Sequence, residues 1–459
     1  MRTSRARVAG IAGALGLLIG WPVLSPGQPV PPAAPVLTPC KVYTANEPLT
    51  PAAIVAAMPL PCAPSVTGRG SFATPLDNLQ HGFDRYSWLT FVALNSPADG
   101  VTKIGEGSGP GKDARAIWET YKQLPDVMLE NGADPGEWET RHVPDACKSL
   151  DAPGRMIVHI EEETFNQPFK SGPLIDQNGN YALFTIFMNR EMFDTIKTNK
   201  FYSRAVQRDF AGGVKFSSGT NAAPGSLGAV MLKVSFKVIA GKDDPAKFHT
   251  VDALIYTPEK KNPQRDATCV AAQLGMIGFH AAHKTQFASQ WVWTSFEHVN
   301  NVPDLADAIA QRNLLEHYHF YNRECDPIKC PINQLPPKPW DPRVQPFPNG
   351  YKSQIARVIP VTADAARMNG ESQAVAGIKG TVWENYMLLS TQWPTDTNNK
   401  IDLMGVPAPT YLANTTLETY SQGSVPLASS SCIACHLNAT SQQKSAQPSD
   451  FTFILEKAR

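Results

Sequence analysis

The chain has 459 residues and balances 41 Lys plus Arg against 41 Asp plus Glu, a formal net charge of zero. That balance argues against nucleic acid or an anionic membrane surface as the main partner. The length gives room for about two or three domains with their own cores, and the 40 prolines point to ordered, turn-rich connections.

Residues 1–27 read as a secretory signal peptide. Arg2, Arg5 and Arg7 form a basic start, Val8 to Ile19 is apolar, and Ser25-Pro26-Gly27 offers small residues for cleavage. An uncleaved anchor is the alternative, but the apolar run falls short of the ~20 residues that span a bilayer and Pro22 follows it closely. Leu37-Thr-Pro-Cys40 lies too far on for a lipoprotein site, and no paired arginines precede the apolar run. Export places the mature chain in a bacterial periplasm or outside the cell, with no integral membrane segment once the signal is removed. Residues 28–75 form a proline-rich arm, with a short helix expected over Pro51–Met58 behind a Thr50 cap.

The region 76–334 is expected to combine helices with an antiparallel sheet. Leu79, Phe83, Tyr86, Leu89 and Ala93 recur at helical spacing between Pro75 and the stop at Ser96-Pro97. A second helix is expected over Ala114–Leu124. Met156, Val158 and Ile160 alternate as a strand does, and Asn178-Gly179 marks a hairpin leading into Tyr181–Met188. The clearest strand is Ala229–Ile239, with Val230, Leu232, Val234, Phe236 and Val238 on one face and Lys233, Ser235 and Lys237 on the other. Phe248–Tyr256 and Thr268–His280 follow as strands, and Asp304–Leu315 as a helix. Residues 335–350 carry six prolines and read as a linker or wrapping arm. Residues 351–459 are expected to be a small, mainly helical segment, with helices at Ser353–Arg357 and Gly380–Thr391. The fold class is therefore α+β: a mainly antiparallel sheet flanked by helices, followed by that segment.

Near the C-terminus stands Ser431-Cys432-Ile433-Ala434-Cys435-His436. Thiols at i and i+3 of a helical turn face the same way, and the next residue is an imidazole. That is what covalent attachment of haem needs: each thiol adds to one vinyl group and the histidine ligates the iron. A redox Cys-x-x-Cys pair should sit between a strand and a helix, whereas a polar loop precedes this one; a zinc site lacks a second Cys-x-x-Cys nearby. The stretch resembles the haem-attachment motif of c-type cytochromes, a resemblance that covers little beyond these residues. The segment Gly278 to His298, with His280, His283, Trp291, Trp293 and His298, is similar to one in large exported bacterial haem-c proteins without an assigned activity.

The other six cysteines, Cys40, Cys62, Cys147, Cys269, Cys325 and Cys330, make an even set for disulfides in an exported chain. Cys325 with Cys330 and Cys40 with Cys62 are the simplest pairs; a Cys/His site with His317 and His319 is an alternative for the former. No Met or His follows His436, so the second axial ligand is sought upstream. Met404, His298 and His280 are the leading candidates, with His283 and Met387 behind them. The expected function is that of a periplasmic monohaem c-type cytochrome that binds one covalent haem c through Cys432, Cys435 and His436. It would exchange electrons with a redox partner protein or a small-molecule donor or acceptor. A haem-c enzyme of peroxidase or oxygenase type, with an open iron site, is one alternative. A ligand-binding module with a cytochrome tail is another.

Overall fold

Alternating apolar residues and few intervening helices give this chain a sheet as its central element. In the computed structural model, residues 76–99, 104–105, 115–219, 226–261, 264–285, 288–344, 346–396, 406–423, 430–443 and 447–459 are described. They belong to one compact unit, Pro35–Arg459. The expected signal, the proline-rich arm, Cys40, Cys62 and Met404 lie outside the described residues.

The strands are β1 (Lys122–Gln123), β2 (Met156–His159), β3 (Leu183–Met188), β4 (Val230–Val238), β5 (Thr250–Thr257), β6 (Lys260–Lys261), β7 (Gln264–Arg265), β8 (Thr268–Thr285), β9 (Ala288–His298), β10 (Tyr386–Pro394) and β11 (Pro407–Ala408). A nine-stranded sheet runs in the order β1-β3-β4-β8-β9-β10-β11, with β5 paired to β8 and β2 to β5. All its pairings are antiparallel except β2 with β5. The length of β8 explains the layout: its first half pairs with β5, while the second half lies between β4 and β9.

One face of the sheet is covered by α1 (Leu76–Asn95), which forms where the helical periodicity and its Pro stop predict it. Phe91 stacks on Phe296 at 4.2 Å, and Trp88 meets Phe296 edge-on at 5.0 Å. Leu232, Val234, Phe279 and Ala281 join them in the largest core. The opposite face is covered by the C-terminal segment. Gly278 makes that possible: a Cβ there would collide with Thr416 Oγ1 and Ser235 Oγ, so its absence lets the chain at 414–416 settle on the strands. Ser235 and Lys237, which with Lys233 make a polar face in the sequence, therefore lie under protein, while Lys233 stays partly exposed.

The α+β class holds, while several boundaries change. Gly380–Thr391 is not a helix: a short 3-10 turn, Val382–Asn385, leads into β10, which pairs with β9. Trp383, Tyr386, Met387 and Leu389 have helical spacing, but cross-strand packing decided the outcome. Residues 351–459 thus complete the same sheet as residues 76–334 and are not a mainly helical unit. Ser353–Arg357 runs without helix and is buried. The proline-rich stretch 335–350 wraps rather than links, for Phe347 is buried and its N–H donates to Gly179 O at 2.7 Å. The described residues of Ala114–Leu124 form the 3-10 turn Ile117–Thr120 and β1 rather than a helix, and the helix expected after Asp304 covers Leu305–Ala310. Among the described residues no helix is long and apolar enough to cross a membrane.

Two disulfides are present among the described residues. Cys325–Cys330 is the pair expected from proximity, and Cys147–Cys269 joins positions 122 residues apart. Loop entropy makes the long bridge the stronger one, about 5 kcal/mol against about 2 kcal/mol for the short loop. Cys147→Ser/Cys269→Ser should therefore lower the thermal midpoint far more than Cys325→Ser/Cys330→Ser. Equal losses in calorimetry would refute that ranking.

Candidate functional site

The Cys-x-x-Cys-His stretch forms a short helix, α2 (Cys432–His436), because polar groups fix both its start and its seat. Ser431 caps it, its Oγ accepting from Ala434 N–H at 3.3 Å. Gln392 on β10 accepts from Ile433 N–H at 2.9 Å and donates through Nε2 to Pro409 O at 2.8 Å. Ile433 and Ala434 turn into the core, leaving Cys432, Cys435 and His436 partly exposed. The two thiols are unbridged. Burial pushes Cys432 well above the ordinary thiol range and Cys435 up to about 11. A redox Cys-x-x-Cys pair has a lowered thiol pKa, so this environment opposes that reading.

His436 is held from several sides. Its Nδ1–H donates to Phe451 O at 2.8 Å, and its ring packs against Trp293 at 4.3 Å and Phe453 at 5.1 Å. Burial lowers its pKa to about 4, which keeps the ring neutral near pH 7. With Nδ1 protonated and engaged, the lone pair is on Nε2, which has no hydrogen-bond partner among the described residues. This is how a ligating imidazole is oriented by its surroundings. The carbonyl comes from an unusual turn in which Asp450 and Phe451 have φ of +55° and +63°. Such conformations cost non-glycine residues roughly 1–2 kcal/mol each. Here Asp450 is locked by a buried ion pair with Lys284 and accepts from Phe216 N–H at 2.6 Å.

Beside α2 the covered sheet face opens. From Leu183 to Met188, Val230 to Lys237 and Leu274 to Thr285, every residue is buried except Ile186, Lys233 and His280. These three are register partners on β3, β4 and β8. Together they floor a recess. Glu418 stands at its wall, accepting from His280 Nε2–H at 3.1 Å and from Asn414 N–H at 2.9 Å. Burial raises the Glu418 carboxyl, but His280 and Lys233 outweigh it and hold it below the usual range. Lys233, His280 and Glu418 all lie within electrostatic reach of His436, and Lys233 and Glu418 within that of Cys435.

Of the upstream ligand candidates among the described residues, only His280 is placed at this recess. His298 is removed from consideration because both nitrogens are occupied: Nε2–H donates to Lys247 O at 2.9 Å and Nδ1 accepts from Asn300 N–H at 3.1 Å. His283 is likewise committed, to Tyr86 OH and Leu227 O, each at 2.6 Å. Met387 is a strand residue on β10, and Met404 lies outside the described residues. His319 is half-buried and packs on Phe248 and His298, His317 is exposed, and Cys325 and Cys330 are bonded to each other, so no Cys/His site forms there. Among the described residues no group of three or more His, Cys, Asp or Glu is arranged around a bare metal ion. Sequence reasoning missed Lys233, Glu418, Gln392 and the Lys284–Asp450 pair as parts of the site. A lysine within an apolar strand was the one available signal.

The chain is thus an α+β protein in which a Cys-x-x-Cys-His turn borders a recess over a large antiparallel sheet. No family model matches it, and no curated protein or solved structure matches it.

Proposed function

We propose that this chain binds one covalent haem c and serves in electron transfer in the bacterial periplasm, exchanging electrons with a redox protein or a small-molecule partner. The observation that carries the reading is the geometry of His436: its Nδ1–H is bound to Phe451 O at 2.8 Å, its Nε2 has no partner among the described residues, and it follows two free thiols. The donor set fits the group. Bound haem would supply a one-electron couple whose potential follows its ligation and burial. Cys432 and Cys435 would tether it through thioethers, each S–H adding across one vinyl group. His436 would ligate through Nε2, Trp293 and Phe453 would fix the ring, and the recess floor would keep water from one side. Partial exposure of the α2 turn leaves a route for electrons to a docked partner.

A second reading, a haem enzyme with an open iron site, is favoured by the His280–Glu418 hydrogen bond. That bond occupies the Nε2 of the one described upstream candidate at the recess. One experiment addresses both readings: optical spectra of the full chain expressed with haem-c maturation, oxidised and reduced, with and without CO. The expected result is covalent haem that survives denaturing electrophoresis, with sharp low-spin bands indifferent to CO. A high-spin spectrum that shifts with CO would select the enzyme reading. A chain matured without covalent haem would overturn both.

A further inference from the structure

The lysines that reach inward from this sheet are matched to acceptors, with one exception. Lys237 pairs with Asp176 at 3.6 Å and with Asp243. Lys284 pairs with Asp450, and Lys122 donates to the carbonyls of Trp138 at 3.1 Å and Thr140. Lys233 has no hydrogen-bond acceptor and no carboxylate at ion-pair distance among the described residues. Its ammonium lies 5.1 Å from the centre of the Phe184 ring. The carboxylate within electrostatic reach, Glu418, is taken by His280 and by the Asn414 N–H. The side chain is partly exposed, and its surroundings desolvate the ammonium, which lowers the Lys233 pKa while leaving it open to an external anion.

We propose that Lys233 is an anion-binding residue of the recess, the counter-charge for a carboxylate carried on the apolar molecule that fills it. Resting on the haem reading above, that carboxylate is a haem propionate. The surroundings specify the class. Ile186 offers apolar surface on the floor, Lys233 adds a point cation, and Glu418 repels an anion from the side where it already accepts two hydrogen bonds. A flat apolar body with an acidic substituent at the Lys233 end satisfies all of these. A neutral ring would leave the ammonium unmatched.

The test uses the full chain with Cys432→Ser and Cys435→Ser, so that binding is reversible, titrated with ferric protoporphyrin IX and with its dimethyl ester. Replacing one charge-assisted contact should weaken protoporphyrin binding by roughly 10–100-fold in Lys233→Met. The ester should bind alike with and without Lys233→Met, and Lys233→Arg should restore most of the loss. Circular dichroism confirms that each variant is folded. If one is not, the midpoint potential of covalently matured Lys233→Gln against the parent supplies the readout: loss of the cation should lower it, and an unchanged potential overturns the inference. Equal weakening of both ligands, or no weakening, also overturns it while a covalent haem in the parent chain keeps the functional reading intact. Absence of haem from the matured parent overturns both.

Discussion

Asp84→Asn is expected to stabilise the protein at pH 8 and to leave it almost unchanged at pH 4. Asp84 is fully buried on α1. Its Oδ1 accepts from Thr391 N–H at 2.8 Å and Gln80 Nε2–H at 2.9 Å, whereas Oδ2 has no partner among the described residues. Burial pushes the carboxyl up to about 7, against the hydrogen bonds from Thr391 and Gln80, which favour the anion. Because the folded pKa exceeds the unfolded one, the protonated form favours folding. That contribution is fully present below about pH 4 and is lost as pH rises through about 7, a difference on the order of 4 kcal/mol. Asparagine keeps the Oδ1 acceptor and carries no charge. Urea midpoints should therefore separate progressively between pH 4 and pH 8, with the variant the more stable at the upper end. Parallel midpoints across that range would mean that water or another group compensates the buried carboxylate.

The same helix shows what a single sequence makes legible. Its apolar spacing, its proline at the start and Ser96-Pro97 at the end are local signals, and α1 follows them. The Cys-x-x-Cys-His turn is local too, and Ser431 caps it as a residue of that type should. The recess is not local. Ile186, Lys233 and His280 meet only through the registers of β3 with β4 and of β4 with β8, and Glu418 arrives from a distant loop. His298 illustrates the opposite limit. Its type and aromatic neighbours suggested a ligand, but the Lys247 carbonyl and the Asn300 amide that occupy it are backbone groups, which leave no trace in residue identity. The Trp383–Leu389 spacing misled for a related reason: apolar residues three apart suit a helix, yet β9 offered those same residues a paired edge.

The wall of this recess depends on a second buried charge. Glu297 on β9 is fully buried and Arg357 nearly so. Arg357 Nε donates to Glu297 Oε1 at 3.0 Å and Nη1 to Asp304 Oδ1 at 2.7 Å, while Thr415 N–H donates to Glu297 Oε2 at 3.1 Å. This arrangement anchors the turn at 414–416 above Gly278, and from that turn the Asn414 N–H reaches Glu418. Arg357→Met strands Glu297 without a counter-charge and should cost about 3–5 kcal/mol, read as a lower denaturation midpoint. Adding Glu297→Gln removes the stranded charge and should recover most of the loss, because a buried pair replaced as a unit forfeits far less than one partner lost alone. The single variant should also loosen Glu418 from His280, so that amide exchange quickens at Asn414 in Arg357→Met and slows again in the double variant. A double variant no more stable than the single one would place the role of Arg357 in the packing of its stem against the 411–422 segment. The position of Glu418 would then follow from shape, with Glu297 a spectator.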